Sequence, residues 1–144
     1  METDENRVAI ELHSRIDDEG EIEESTTTTT GFLYSKGKMD VIKYTESLDE
    51  HDTHMVHNLL TIHPEKVSIK RSGAMQMHQQ FVCEKTTEGL LQHPHGSIHM
   101  ETYTQSIHYQ PWTHQGTGRL TINYLATLNG QDTRSHQLTW TISR

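Results

Sequence analysis

The chain is poor in the features that mark a secreted domain, a membrane protein or a familiar enzyme. It has one cysteine, Cys83, in 144 residues. A single cysteine excludes an internal disulfide and fits a reducing compartment, so the expected location is the cytoplasm. Cys83 follows an apolar stretch and reads as a structural thiol rather than a nucleophile, because no local Cys-His-Asn signature accompanies it. Hydrophobic residues make up only 31%, against about 45–50% in an average domain when glycine is counted. No run approaches the ~18 apolar residues of a membrane-spanning helix, and residues 1–25 lack the apolar core of a signal peptide. Basic residues are also few, with 12 Lys and Arg against 20 Asp and Glu for a net charge of −8. That surplus is local: residues 1–24 hold ten acids and two bases, leaving ten of each in the rest. A neutral body with an acidic head repels phosphate backbones, so no nucleic-acid partner is expected. The Gly-x-Ser-x-Gly elbow, the phosphate-cradling glycine loop and the His-Glu-x-x-His helix are all missing, and no enzyme activity or cofactor is expected.

What is present is alternation. Val8, Ile10, Leu12 and Ile16 share one parity; Leu120, Ile122, Tyr124, Ala126 and Leu128 share another; His136, Leu138, Trp140 and Ile142 follow in phase. A period of two is the mark of a strand with one face in water, and such strands need fewer apolar residues than a helix buried all round. Thr26 to Thr30 is β-branched and reads as strand interior. Thr53 to His63 carries apolar residues on both parities, which suits a doubly buried or bulged strand, with a short helix as the competing reading. Turn signals recur every 8–12 residues and imply nine or ten strands, the spacing of barrels and sandwiches. The expected organisation is a polar tail over residues 1–6 and one all-β domain over 7–144, an antiparallel meander closed into a barrel, with a two-sheet sandwich as the alternative.

Hairpin phase sharpens this. If Asn129-Gly130 were a bare two-residue loop, the apolar residues of the two flanking strands would fall on opposite faces of the sheet. A three-residue loop, Leu128-Asn129-Gly130, restores the phase, with Gly130 left-handed, Leu120 opposite Leu138 and Ile122 opposite His136. The same test on Arg71-Ser72-Gly73 places Ile69 opposite Met75 and Val67 opposite Met77. Each such loop would add a bulge and twist, helping the sheet to curl.

These residues carry a family resemblance. The run Val67 to Met77 with Phe81, the run Gly118 to Tyr124, the stretch Thr30-Gly31-Phe32-Leu33-Tyr34 and Tyr44-Thr45-Glu46 together resemble the bacterial YwiB-like proteins over nearly the whole chain. The resemblance implies a calycin-like barrel of lipocalin type. It implies no function and supplies no catalytic or binding residues.

The candidate site rests on the residues themselves. Val67, Ile69, Met75, Met77 and Phe81 form one apolar face, and Leu120, Ile122, Tyr124, Leu138 and Trp140 another. Such faces fill a core; in a barrel of about eight strands they can also enclose one small ligand, and methionine suits adaptable apolar contacts. The candidate ligand-binding residues are therefore Ile69, Arg71, Met75, Met77, Phe81, Ile122, Tyr124, Leu138 and Trp140. Arg71, expected in a turn at the rim, would either clamp an acidic head group or stand in solvent. The twelve histidines, including His51, His54 and His57 and the trio His93, His95 and His99, match no zinc spacing, and no metal site is expected. The leading expectation is a non-catalytic binder of a small apolar or amphipathic molecule. The alternative is a structural or regulatory interaction module with a filled barrel, meeting a protein partner through the outer face of Thr53–Ile62 or the acidic first hairpin.

Overall fold

The structure, a computed structural model, describes residues 6–47, 55–111 and 116–143. The expected tail lies outside the described residues except for Asn6. Ten strands follow one another: β1 (Arg7–Asp18), β2 (Glu21–Lys36), β3 (Met39–Ser47), β4 (Met55–Ile62), β5 (Val67–Gly73), β6 (Gln76–Phe81), β7 (Thr86–His93), β8 (Gly96–Gln110), β9 (Gly118–Leu128) and β10 (Thr133–Ser143). Each pairs antiparallel with its neighbours, and β1 pairs with β10 to close the barrel. The closing ladder sets Ile10 opposite Ile142 and Leu12 opposite Trp140. The sandwich alternative is not realised; of residues 53–63, Thr53 and His54 lie outside the described residues and Met55–Ile62 is strand β4 rather than a helix.

Alternation decides what faces inward. At the end where β1 begins and β10 ends, Val8, Ile10, Ile42, Leu60, Ile62, Val67, Phe81, Leu120, Ile122, Trp140 and Ile142 form one buried cluster. Phe81, Leu120, Ile122 and Ile142 are 0% exposed. Each such side chain removed from water contributes about 1.5–3 kcal/mol. Tyr109 of β8 crosses the base of the barrel and donates its hydroxyl to Asp40 of β3, whose other carboxylate oxygen accepts from Ser35 at 2.7 Å. This pairing, across 69 positions of sequence, closes that end.

Tyr109 can point inward only because β8 carries a bulge. The register of β8 on β9 shifts between Thr104 and Ser106. The extra residue, Gln105, switches the inward set from Met100, Thr102 and Thr104 to Ile107 and Tyr109.

Two hairpins depart from the expected registers. In the last one Leu120 faces Trp140, Ile122 faces Leu138 and Tyr124 faces His136. Asn129 and Gly130 both have positive φ (52° and 67°), and Gln131 N donates to Leu128 O at 2.9 Å. That is a type I′ two-residue turn. The phase is restored by an extra residue after the turn rather than within it, since Thr133 pairs with Thr127. Gly130 is left-handed as expected. In the middle hairpin Val67 faces Phe81, Ile69 faces Gln79 and Arg71 faces Met77. Strand β5 therefore runs on through Arg71 and Ser72 to Gly73. It does so because β4 continues beside it, pairing Val56 with Gly73 and Asn58 with Arg71.

The seam between β2 and β3 is short. Only Gly31 to Lys36 pairs with Met39 to Tyr44, and among the described residues Glu21 to Thr30 of β2 has ladder partners on β1 alone. Gly31 sits where the two strands converge: a Cβ there would lie 2.2 Å from Lys43 O and 2.8 Å from Ile10 Cδ1. No other residue fits so close an approach. Beyond it β2 departs, and Thr29 Oγ1 reaches Thr45 O at a weak 3.4 Å.

Candidate functional site

Toward the other end the inward positions turn polar. The same parities that bury Ile42, Leu60, Val67, Phe81 and Trp140 below carry Glu46, Asn58, Arg71, Gln79 and His136 above. These side chains do not meet across the axis. They leave a cavity of about 320 Å³ inside the barrel, walled by β1, β2, β3, β5, β6, β8, β9 and β10. Its apolar wall is Leu12, Ile69, Met77, Met100, Leu138 and Trp140; its polar wall includes Ser14, Ser25, Thr27, Glu46, Arg71 and Gln79. A larger depression of about 450 Å³ lies on the outer face of β2–β5, beside Lys43, His57 and Lys70. It is a surface groove without a far wall, so the interior cavity is the better candidate.

Arg71 is the centre of the polar wall. Its Nη2 donates to Glu46 Oε1 at 2.8 Å and its Nε to Asn58 Oδ1 at 3.0 Å. Asn58 Nδ2 donates to the same Glu46 oxygen at 2.9 Å. The three residues come from adjacent strands β5, β4 and β3, at consecutive inward positions. Asn58 is only 3% exposed, so its amide would be costly to leave unpaired. Arg71 Nη1 faces Met75 Sδ at 3.7 Å.

Aromatic rings form the floor. Tyr124 stacks on His136 with centroids 4.8 Å apart and planes 10° apart, and meets Phe81 edge-on at 5.0 Å. Burial pushes the Tyr124 phenol up to about 12, against smaller opposing pulls from a Gln79 hydrogen bond and the Arg71 charge. Burial likewise raises Tyr44, which accepts a hydrogen bond from Trp140 Nε1 at 3.2 Å. Burial, and secondarily the Arg134 charge, lowers His136. In each case burial favours the neutral form. Gln79 also donates to Thr102 Oγ1 at 2.9 Å.

The mouth carries the acidic hairpin. Asp18-Glu19-Gly20-Glu21 turns the chain with positive φ at Glu19 and Gly20 (52° and 95°). Gly20 N donates to Asp17 Oδ1 at 2.9 Å. Arg134 pairs with Asp18 at 3.3 Å and Arg15 with Glu24 at 3.7 Å.

The cavity wall includes Ile69, Arg71, Met77, Tyr124, Leu138 and Trp140 of the expected set. Phe81 and Ile122 lie beneath it in the filled core, each 0% exposed. Met75 is outside the wall and meets Arg71 through its sulfur. Arg71 is an inward strand residue and not a rim turn, and its charge is already met by Glu46. Cys83 is exposed rather than packed. Glu46, Asn58, Gln79, Met100 and His136 were not among the expected residues. For Glu46, Asn58, Gln79 and His136 the signal was present: each stands two positions from an apolar inward residue, Tyr44, Leu60, Phe81 and Leu138. Among the described residues no three His, Cys, Asp or Glu side chains are placed to hold a metal ion, and no helix is long and apolar enough to cross a membrane.

The comparisons with known proteins agree with this architecture. The chain is 30% identical to the uncharacterized beta-barrel protein YwiB of Bacillus subtilis (strain 168), over 95% of this chain and 93% of that protein. The crystal structure of that protein superposes with a TM-score of 0.82 at 28% identity, covering 96% of this chain and 91% of that one. Residues 10–139 match the model of a domain of unknown function, DUF1934. A ten-stranded closed barrel with these relatives belongs to the DUF1934 family.

Proposed function

We propose that the protein is a non-catalytic binder of a small amphipathic molecule, held in the hollow half of the barrel. The carrying observation is the cavity of about 320 Å³, with one apolar and one polar wall. That volume falls at the lower end of the range typical of small-molecule sites, about 300–1,000 Å³. An apolar body would lie against Leu138, Trp140, Met77 and Met100, and a polar end would meet Ser14, Thr27 and Gln79. The charged pair and its amide, Glu46, Arg71 and Asn58, are committed to one another rather than aimed at a reacting atom, which supports binding over catalysis. A cytoplasmic, water-borne protein suits the outward parities, which carry Glu11, Arg15, Lys43, His57, Lys70 and His78. A lipid-facing barrel would need an apolar band there.

Native mass spectrometry of protein purified from its own host tests this. A retained small molecule, released on denaturation, is the expected result. A bare chain mass under both gentle and denaturing ionisation would overturn it.

A further inference from the structure

We infer that this cavity selects its ligand by charge: it takes an uncharged or cationic amphipathic molecule and disfavours anions, with Glu46 setting the preference. The inference rests on the binding role proposed above. Arg71 is the one Lys or Arg among the described lining residues. An arginine that captures an anion does so with free donors, best in a bidentate fork. Here Nη2 and Nε are already given to Glu46 at 2.8 Å and Asn58 at 3.0 Å, and Nη1 is turned to Met75 sulfur. Two of the five N–H groups remain, one on each Nη, but a carboxylate or phosphate that took them would stand beside the Glu46 carboxylate that already meets the guanidinium charge. Glu46 side-chain exposure is 17%, so solvent would screen the repulsion between the two anions poorly.

Two further features act in the same direction. Residues 17–24 at the mouth hold Asp17, Asp18, Glu19, Glu21, Glu23 and Glu24. Arg134 and Arg15 pair with only Asp18 and Glu24 of these. The remaining carboxylates give the entrance a negative potential that attracts cations and slows anions. Inside, Tyr44, Tyr124 and Trp140 line the cavity, and aromatic rings suit apolar or cationic groups over anionic ones.

The test uses three probes on one ring: 1-naphthalenesulfonate, 1-naphthalenemethanol and 1-naphthylmethyl-trimethylammonium. Binding to the full chain is followed by NMR titration with shifts assigned to cavity residues. The alcohol and the ammonium should bind more tightly than the sulfonate by about tenfold or more. Glu46→Gln keeps an oxygen acceptor for Arg71 and Asn58 but releases the arginine charge, and should tighten sulfonate binding by about tenfold. Arg71→Gln gives an independent arm should the first variant fail to fold. It leaves Glu46 unneutralised and should tighten the ammonium while weakening the sulfonate further. Equal binding of all three probes, unchanged in the variant that folds, would overturn the charge selection and leave the binding role standing. Binding of none of them at the cavity would overturn both.

Discussion

The inward rows of β3, β5 and β10 run from apolar residues at the end near Val8 and Ile142 to Glu46, Arg71 and His136 toward the end near Asp18 and Thr133, and the two ends differ in kind. The first is solid. Trp140 and Phe81 fill its centre, aliphatic residues surround them, and the Tyr109–Asp40 hydrogen bond closes the base. The second is hollow and lined by groups that hydrogen-bond along the wall. Side chains just fill a barrel of eight strands, and ten strands make a wider one. The lower half meets that width with large rings and a bulge that turns Ile107 and Tyr109 inward. The upper half does not meet it. Collapse there would bury Glu46, Arg71 and Ser14 against one another's solvation, so the space remains.

If the ends differ in this way, substitutions should separate them, most strongly in the core. Phe81→Ala in the solid half should cost about 3–5 kcal/mol in urea-denaturation free energy. Met77→Ala, beside Arg71 at the hollow half, should cost clearly less, because its methyl group already borders empty space. Equal losses would mean that both halves are equally packed.

Tyr124 lies at the boundary and responds to pH. Its phenol is pushed up to about 12 by burial, so the folded state favours the neutral form. The associated stability, about 2–3 kcal/mol, is fully present below pH 10 and is lost as pH rises from about 10 toward 12. Tyr124→Phe should flatten this alkaline loss, as read by thermal melts between pH 8 and 12. A parallel decline in both proteins would show that the boundary is wet.

The polar wall should behave as one unit. Asn58→Leu removes acceptor and donor at once and strands Arg71 Nε, at a cost of about 2 kcal/mol. Pairing it with Arg71→Leu should recover much of that cost in a double-mutant cycle. The smallest effect has the opposite sign. Thr104 is 0% exposed, and its Oγ1 has no hydrogen-bond partner among the described residues. Thr104→Val keeps the shape and removes the orphan hydroxyl, so stability should rise by up to about 1 kcal/mol. A loss would reveal a bound water at that point.

Much of the fold was legible because strands and turns are local. The inward parities of β1, β9 and β10 could be read directly, as could the reversal at Asn129-Gly130. The registers could not. A bulge before Thr133 and the extension of β5 to Gly73 are both set by neighbouring strands. Arg71 looked like part of a turn because Arg-Ser-Gly has turn composition, yet β4 runs beside it and holds it in the sheet. Six of the nine expected site residues line the cavity, since apolar alternation points to an interior. The polar lining escaped notice because a polar residue at an inward position looks in sequence like one at the surface.

The sequence by itself determined an all-β chain with a period of two, its turns, and an acidic first hairpin. Those follow from the sterics of single residues and from sequence-local charge. Only the tertiary structure decided that the sheet closes at ten strands, that one half fills and the other stays hollow, and that the one cavity arginine is neutralised. Glu46 and Arg71 stand 25 positions apart, and Tyr109 and Asp40 stand 69 apart. The first pair meets once β3, β4 and β5 are in register; the second meets only when the ring closes, because the barrel circumference is a property of all ten strands together.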